Sequence, residues 1–128
     1  MFELSKVYRF EAAHSLPHLP PEHKCHNLHG HSYKVTVTLR GEKLNRDGML
    51  RDFLDVDAYL HPLVDIYDHV NLDDHFPVTT CESIAYSMYK MLKPGLKELK
   101  SVQVSETSKT NATYWDHASF QTSSERCL

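Results

Sequence analysis

Alternation of apolar and polar residues predicts two β-strands in the first third of the chain, because every second side chain of a strand points to the same face. The first strand spans residues 6–13 and the second lies within residues 25–39. The apolar face of the first strand ends in a histidine: Tyr8, Phe10, Ala12 and His14. The apolar face of the second is Tyr33, Val35, Val37 and Leu39. Residues 15–24 contain three prolines and are expected to form a rigid loop between the strands.

The middle of the chain changes to helical spacing, with apolar residues at every third or fourth position. One apolar stripe consists of Phe53, Val56, Leu60, Leu63, Val64 and Tyr67. Asp52 or Asp55 can cap this helix, and Pro62 inside it is expected to kink it or split it in two. A second helix is predicted to start at the capping box Thr79-x-x-Glu82 and to end at the Pro-Gly pair that follows its last apolar turn.

Three further segments are expected to be extended: a short return at residues 49–53 that would form a hairpin, a strand at residues 99–107, and a last strand at residues 111–118. On the strand at residues 99–107, Glu106 falls on the same face as two valines that are expected to be buried. A carboxylate on an inner face is costly unless it is paired. Either an Arg or Lys neutralises it, or it accepts hydrogen bonds from a ligand. The polar residues at 115–128 are expected to form a loose tail.

Length and composition indicate a single domain spanning residues 1–128, of ordinary soluble character, with 41% hydrophobic and 24% charged residues. The net charge of −3 argues against broad nucleic-acid binding. The apolar runs are too short to span a membrane and no signal peptide is evident, so we expect a cytoplasmic protein. The three cysteines are far apart and form no CxxC pair, which favours neither a disulfide framework nor a thiolate zinc site.

Histidine is the unusual residue of this chain, with ten copies. His29 and His31 are two positions apart and extend the apolar face of the second strand, while His14 leaves the apolar face of the first. Three imidazole nitrogens from neighbouring strands would form a zinc site with one open position, which is typical of a catalytic rather than a structural zinc. The simpler alternative is a set of core histidines whose rings bond to backbone carbonyls.

Six motifs, in chain order, resemble one known family. They are FEAAH at residues 10–14, CHNLHGHSY at 25–33, GMLRDF at 48–53, DHVNLDD at 68–74, TCES at 80–83 and SET at 105–107. Their order and content are similar to those of the 6-pyruvoyltetrahydropterin synthase and 6-carboxytetrahydropterin synthase family. The resemblance implies the α+β tunnelling fold: a four-stranded antiparallel sheet with two helices on one face, in the order ββααββ. It also implies a homo-oligomer, usually a hexamer, whose subunits close into a barrel.

The resemblance also implies roles for individual residues. His14, His29 and His31 would bind Zn²⁺. Cys25 would abstract a proton from the substrate, and His69, oriented by Asp68, would relay protons. Glu106 would accept hydrogen bonds from the edge of a pterin ring and would take part in the relay. Thr80 would add backbone or hydroxyl contacts to the same ring.

Within the family, the three residues between Cys25 and His29, and the loop at residues 14–25, resemble the bacterial carboxy-type enzymes of 7-deazaguanine (queuosine) biosynthesis. These lyases act on a pterin triphosphate, 7,8-dihydroneopterin triphosphate, and form 6-carboxytetrahydropterin, acetaldehyde and triphosphate. The pair Thr79-Thr80 departs from the frequent Pro-Thr and occurs in some pyruvoyl-type enzymes. Two alternatives therefore stand beside the carboxy-type lyase: a pyruvoyl-type synthase, and a zinc- and pterin-binding module without turnover.

Each candidate residue also has a simpler explanation when it is taken alone. Cys25 could be an inert thiol, Asp68 and His69 a charged pair at a helix end, and Thr80 a helix cap. The order of the motifs and the histidine set together favour the catalytic interpretation.

Overall fold

A long antiparallel pairing of the first two strands forms the centre of the fold in the computed structural model, which describes residues 1–116. The elements in chain order are β1 (Phe2–His14), β2 (His29–Gly41), α1 (Phe53–Tyr67), β3 (Val70–Asn71), α2 (Cys81–Leu92), β4 (Leu99–Thr107) and β5 (Thr110–Trp115). The two helices cover one face of a single sheet, so the predicted α+β class is confirmed. No helix among the described residues is long and apolar enough to cross a membrane.

The sheet has five strands in the order β3-β1-β2-β4-β5, so the prediction of four antiparallel strands is wrong. The additional strand, β3, is two residues long and runs parallel to β1, with Ala12 opposite Val70. A backbone hydrogen bond from the His69 amide to the carbonyl of Glu11 holds β3 beside β1. Two residues are too few to show alternation, which explains why the sequence pattern did not predict this strand.

The core lies between the helices and the inner face of the sheet, and alternation along the strands selects the residues that fill it. Four consecutive inward positions of β2 are fully buried: Tyr33, Val35, Val37 and Leu39. The facing stripe of α1 is buried as predicted at Val56, Leu60, Leu63, Val64 and Tyr67, whereas Phe53, the first residue of the helix and of the predicted stripe, is exposed. On α2 the buried positions are Ile84, Ala85, Met88, Tyr89 and Leu92.

Pro62 does not split α1, which is one helix of 15 residues capped by the Asp52 side chain. A proline in a helix interior costs about 3 kcal/mol. Each buried Val or Leu side chain contributes roughly 1.5–3 kcal/mol, and five residues of α1 are buried. Burial of the stripe on both sides of the proline therefore outweighs the local penalty.

Two local predictions differ from the structure. Residues 49–52 are not a strand; Asn45 closes a turn there, with its amide donating to the Met49 carbonyl at 2.7 Å. Helix α2 starts one residue later than predicted, because Thr80 rather than Thr79 is its N-cap and accepts from the Ser83 amide. The last strand ends at Trp115, which was also expected to begin the loose tail, and residue 116 is not part of the strand. Residues 117–118 of its predicted range, like most of the predicted tail, lie outside the described residues.

A polar cluster joins α1 to the middle of β1, and its removal is expected to destabilise the fold. Asp57 of α1 accepts from Lys6 at 2.7 Å and from the Tyr8 hydroxyl at 2.6 Å. These hydrogen bonds hold the pKa of Asp57 below its ordinary value. A lowered carboxyl pKa stabilises the fold above the unfolded pKa of about 3.9, and this contribution disappears as the pH falls through the folded value. Asp57→Asn should therefore lower Tm at pH 7, with a difference from wild type that narrows below about pH 4.

Thermal unfolding followed by circular dichroism over this pH range measures the effect. Asp65→Asn is the matched control, because Asp65 lies on the same helix and is exposed. Equal Tm values for wild type and Asp57→Asn at pH 7 would contradict the assignment.

Candidate active site

Three histidine side chains converge at one end of the β1–β2 pair. The register places His14 directly opposite His29, and alternation places His31 on the same face of β2. The candidate ligand atoms of the three residues all lie within 4.8 Å of one another. His14 is fully buried, and the other two are half-buried. The predicted convergence of the three imidazoles is therefore present in the structure.

Hydrogen bonds on the outer nitrogens leave the inner nitrogens available as ligands. The Nδ1 atom of His14 donates to the Thr79 carbonyl at 2.8 Å, and that of His29 donates to the Asn27 carbonyl at 2.7 Å. A carbonyl only accepts, so each Nδ1 carries the proton and each Nε2 keeps its lone pair. Bonds of this kind commonly orient histidines that bind metals.

The inner nitrogens of all three rings are buried and have no hydrogen-bond partner among residues 1–116: Nε2 of His14, His29 and His31. A buried polar atom left unpaired costs about 1–3 kcal/mol, and three together are a large penalty for an idle core cluster. Three convergent lone pairs fit a tetrahedral divalent ion that takes three nitrogens and keeps a fourth position open. The alternative of core histidines satisfied by carbonyls accounts for two Nδ1 atoms but for none of the Nε2 atoms.

Burial also lowers the pKa of His31, and the neighbouring His14 and His29 act in the same direction while Glu106 opposes them. The ring is thereby kept in the neutral form that a metal ligand requires.

Glu106 of β4 reaches this cluster, as its inward position predicted. One carboxylate oxygen lies 3.4 Å from His31 Nε2 and the other lies 3.9 Å from His14 Nε2. Within residues 1–116 no Lys or Arg forms an ion pair with this carboxylate. Of the two explanations for an inward acid, neutralisation by a cation is therefore not realised, and unused acceptor capacity faces the cluster.

Cys25 lies half-buried in the loop between β1 and β2. Its carbonyl accepts from the Leu16 amide at 2.9 Å, and its amide donates to His23 Nδ1 at 3.1 Å. His26 of the same loop is half-buried, and its Nδ1 donates to the Leu19 carbonyl. These bonds give the proline-rich loop a defined shape around the thiol. No hydrogen bond joins the Cys25 thiol to Asp68 or His69 in the part of the chain that is described.

Asp68 and His69 form the predicted pair, with 3.0 Å between Asp68 Oδ1 and His69 Nδ1. The Glu11 peptide holds both residues, since its amide donates to Asp68 and its carbonyl accepts from His69. This amide bond is the main reason that the pKa of Asp68 is lowered. His69 has a φ of 60°, and its side chain is 77% exposed. It lines an open groove of about 500 Å³ together with residues that include His31 and Ser32.

Thr80 caps α2, and its hydroxyl contacts both the amide and the hydroxyl of Ser83. Thr80 is therefore a helix cap, which was the simpler explanation of this residue. A contact with a ligand would be an additional role.

Sequence reasoning missed four residues around the site. Thr79 and Asp73 lie behind His14 and are joined by a 3.0 Å hydrogen bond. Cys81 donates its thiol proton to Glu106; burial and this carboxylate raise the pKa of the thiol. The Tyr33 ring meets His14 and His31 edge-on, with centroids 5.8 and 5.6 Å away. The inward position of Tyr33 on β2 was visible in the sequence. The positions of Asp73, Thr79 and Cys81 near the site depend on how the segment at residues 73–81 packs against the sheet.

Comparison with known proteins identifies the family. A sequence model described as 6-pyruvoyl tetrahydropterin synthase matches residues 3–117. A protein of Synechocystis sp. named 6-carboxy-5,6,7,8-tetrahydropterin synthase is 38% identical, and the match covers 90% of this chain and 94% of that protein. An Aquifex aeolicus protein of the same name is 31% identical, with 76% of this chain and 82% of that protein covered.

The fold agrees with these sequence matches. The solved structure of 6-pyruvoyl tetrahydropterin synthase from Caenorhabditis elegans superimposes with a TM-score of 0.80 at 32% identity, covering 90% of this chain and 95% of that one. Both the strand and helix arrangement and the sequence over nearly the whole chain are thus shared with these enzymes. The protein belongs to the 6-pyruvoyl tetrahydropterin synthase family.

Proposed function

We propose that this protein is a zinc-dependent 6-carboxy-5,6,7,8-tetrahydropterin synthase. In this reaction 7,8-dihydroneopterin triphosphate is converted to 6-carboxytetrahydropterin, acetaldehyde and triphosphate, as a step of 7-deazaguanine (queuosine) biosynthesis. The observation that carries the proposal is the convergence of three imidazole nitrogens that have no hydrogen-bond partner within residues 1–116, beside an acid with which no described Lys or Arg forms an ion pair. The similarity to carboxy-type relatives over most of the chain supports the choice of reaction.

His14, His29 and His31 would hold the metal through their Nε2 atoms. Bound Zn²⁺ acts as a Lewis acid that orients the side-chain hydroxyls of the substrate and makes them more acidic. The protein contributes three convergent rings, and hydrogen bonds to backbone carbonyls fix the orientation of His14 and His29 in advance. This arrangement leaves the fourth position of a tetrahedral ion for the substrate.

Glu106 and Thr80 would bind the pterin ring. A carboxylate has two oxygens and accepts two parallel hydrogen bonds, which matches the donors at the edge of an aminopyrimidinone. Cys81 donates to Glu106 from the start of α2 and fixes this acid next to the metal ligands. Thr80 precedes Cys81 in the chain, so its backbone lies at the same wall of the site.

Cys25 would remove the proton from the substrate side chain, and His69 would exchange protons with it under the control of Asp68. A general base and acid of this kind accelerate a reaction by roughly 10²–10⁴-fold. Asp68 accepts from His69 Nδ1, so Nε2 of His69 is the nitrogen that faces outward to receive or donate a proton.

We further propose a homo-oligomer, with a hexamer as the expected form and the sheets of several subunits closing into a barrel. Strand β3 covers β1 only at Ala12 and Ala13, so the edge at residues 2–11 has no partner strand within the described chain. Exposed edges of this length favour pairing with another chain. The exposure of His69, and the absence of a hydrogen bond between it and the Cys25 thiol within the described residues, support a site to which two subunits contribute.

A pyruvoyl-type synthase is the second candidate. It is favoured by the Thr79-Thr80 pair and by the 32% identity with the C. elegans enzyme. That reaction eliminates triphosphate but keeps the three-carbon side chain. A binding module without turnover is the third candidate, and it is disfavoured because Cys25, Asp68, His69 and Glu106 are all present.

Metal content tests the ligand set directly. The wild-type protein should retain about one zinc per chain after dialysis against a weak chelator, because three convergent imidazoles bind as a unit. His29→Ala should lose most of this zinc, measured by inductively coupled plasma mass spectrometry. His18→Ala is the control, since His18 is exposed in the adjoining loop and should leave the content unchanged. Full zinc content in His29→Ala would refute the assignment.

Product mass tests the reaction. Incubation of the zinc-loaded protein with 7,8-dihydroneopterin triphosphate should yield 6-carboxytetrahydropterin and acetaldehyde, read by mass spectrometry. Cys25→Ala should lower kcat by about 10²–10⁴-fold with unchanged zinc content, because the base is lost while the metal ligands remain.

A product that retains all three side-chain carbons would favour the pyruvoyl-type reaction instead. No turnover, together with tight pterin binding, would favour the binding module. Wild-type kcat in Cys25→Ala would show that another group abstracts the proton.

A further inference from the structure

A second polar cluster lies behind His14, on the side away from the other two histidines. It consists of Ser15, Asp73 and Thr79. The Asp73 carboxylate accepts from the Ser15 amide at 3.1 Å, from the Ser15 hydroxyl at 2.6 Å and from the Thr79 hydroxyl at 3.0 Å. The same Thr79 hydroxyl lies 3.0 Å from the Ser15 carbonyl. The cluster thus joins the end of β1 to the segment that precedes α2.

The cluster fixes both the backbone of His14 and the acceptor to which its ring donates. Ser15 follows His14 in the chain, so the carboxylate fixes the backbone from which the ring extends. Thr79 is 2% exposed, and its carbonyl accepts from His14 Nδ1, so the same carboxylate fixes the acceptor that orients the ring. Among the described residues, Asp73 forms no hydrogen bond with the His14 ring, and its hydrogen bonds reach the ring through Ser15 and Thr79.

His14 depends on this support more than His29 does. The Nδ1 partner of His29 is Asn27, two residues away in the same loop. The partner of His14 is 65 residues away in sequence. Nothing local therefore fixes the His14 ring, and its direction depends on how the 73–79 segment docks against β1.

We propose that Asp73 is a positioning residue for the metal centre, which sets the direction of the His14 imidazole through Thr79 and Ser15. The proposal rests on the metal site of the proposed function. Residues that orient a metal ligand typically change metal affinity by 10–100-fold when they are removed. Because Thr79 also adjoins the cap of α2, the same carboxylate aligns the metal ligands with the wall that carries Thr80 and Cys81.

Zinc affinity measured by competition with a chromophoric chelator tests this role. Asp73→Ala should weaken zinc binding by about 10–100-fold. Thr79→Val keeps the carbonyl but deletes the hydroxyl, and should weaken binding less but in the same direction. Thr79→Ser retains a hydroxyl and should restore wild-type affinity. Asp74→Ala is the matched control, because Asp74 is the exposed neighbouring acid.

A spectroscopic measurement on the metal-free protein provides a readout that does not depend on zinc. Long-range ¹H–¹⁵N spectra should show His14 of the wild type as a single tautomer protonated at Nδ1, as its bond to the Thr79 carbonyl requires. In Asp73→Ala and Thr79→Val the ring should populate both tautomers.

The outcomes separate this proposal from the metal assignment. Failure of the wild-type protein to bind zinc would overturn both. Zinc binding by the wild type with unchanged affinity in Asp73→Ala and Thr79→Val would overturn the positioning role alone, even if Tm fell. If Asp73→Ala does not fold, Thr79→Val decides the question.

Discussion

The pairing of β1 with β2 is the constraint on which the rest of the molecule depends. It runs through 13 residues of each strand without a break, from Phe2 opposite Gly41 to His14 opposite His29. Strand side chains alternate between faces, so a shift of one residue in either strand would move its buried side chains to the outer face. The apolar core therefore enforces a register that also decides where the imidazoles meet. Folding and assembly of the metal ligands are consequences of the same pairing.

Two carboxylates near the histidines, Asp73 and Glu106, differ in the hydrogen bonds that they accept within the chain. This difference indicates a structural role for Asp73 and a binding role for Glu106. Asp73 accepts three hydrogen bonds from Ser15 and Thr79, which occupy most of its acceptor capacity. Burial alone would raise its pKa, but these hydrogen bonds hold it below the ordinary value. Glu106 receives the weak donor of Cys81 and otherwise faces rings that keep their lone pairs inward. The acid with unused acceptor capacity is the one suited to hold a ligand.

Much of the fold and of the site could be predicted from local patterns. The inward face of β2 and the stripe of α1 follow from spacing alone, and three histidines at inward positions are conspicuous because imidazole is unusual there. Long-range hydrogen bonds explain what the sequence did not reveal. Strand β3 lies beside β1 because the carbonyl of Glu11 accepts a hydrogen bond from the His69 amide. Thr79 is held in a buried position by hydrogen bonds to Asp73 and His14. Pairings of this kind leave no periodic trace in the chain.

The backbone at His69 carries a further implication. Its φ of 60° lies in the left-handed region, which costs a residue with a side chain roughly 1–2 kcal/mol and costs glycine little. A variant library sorted only for heat resistance would therefore enrich glycine or asparagine at this position and discard the imidazole. At position 69, conformational stability favours glycine or asparagine, whereas the proposed proton relay requires histidine. A more thermostable variant that keeps this histidine would have to gain its stability at other positions.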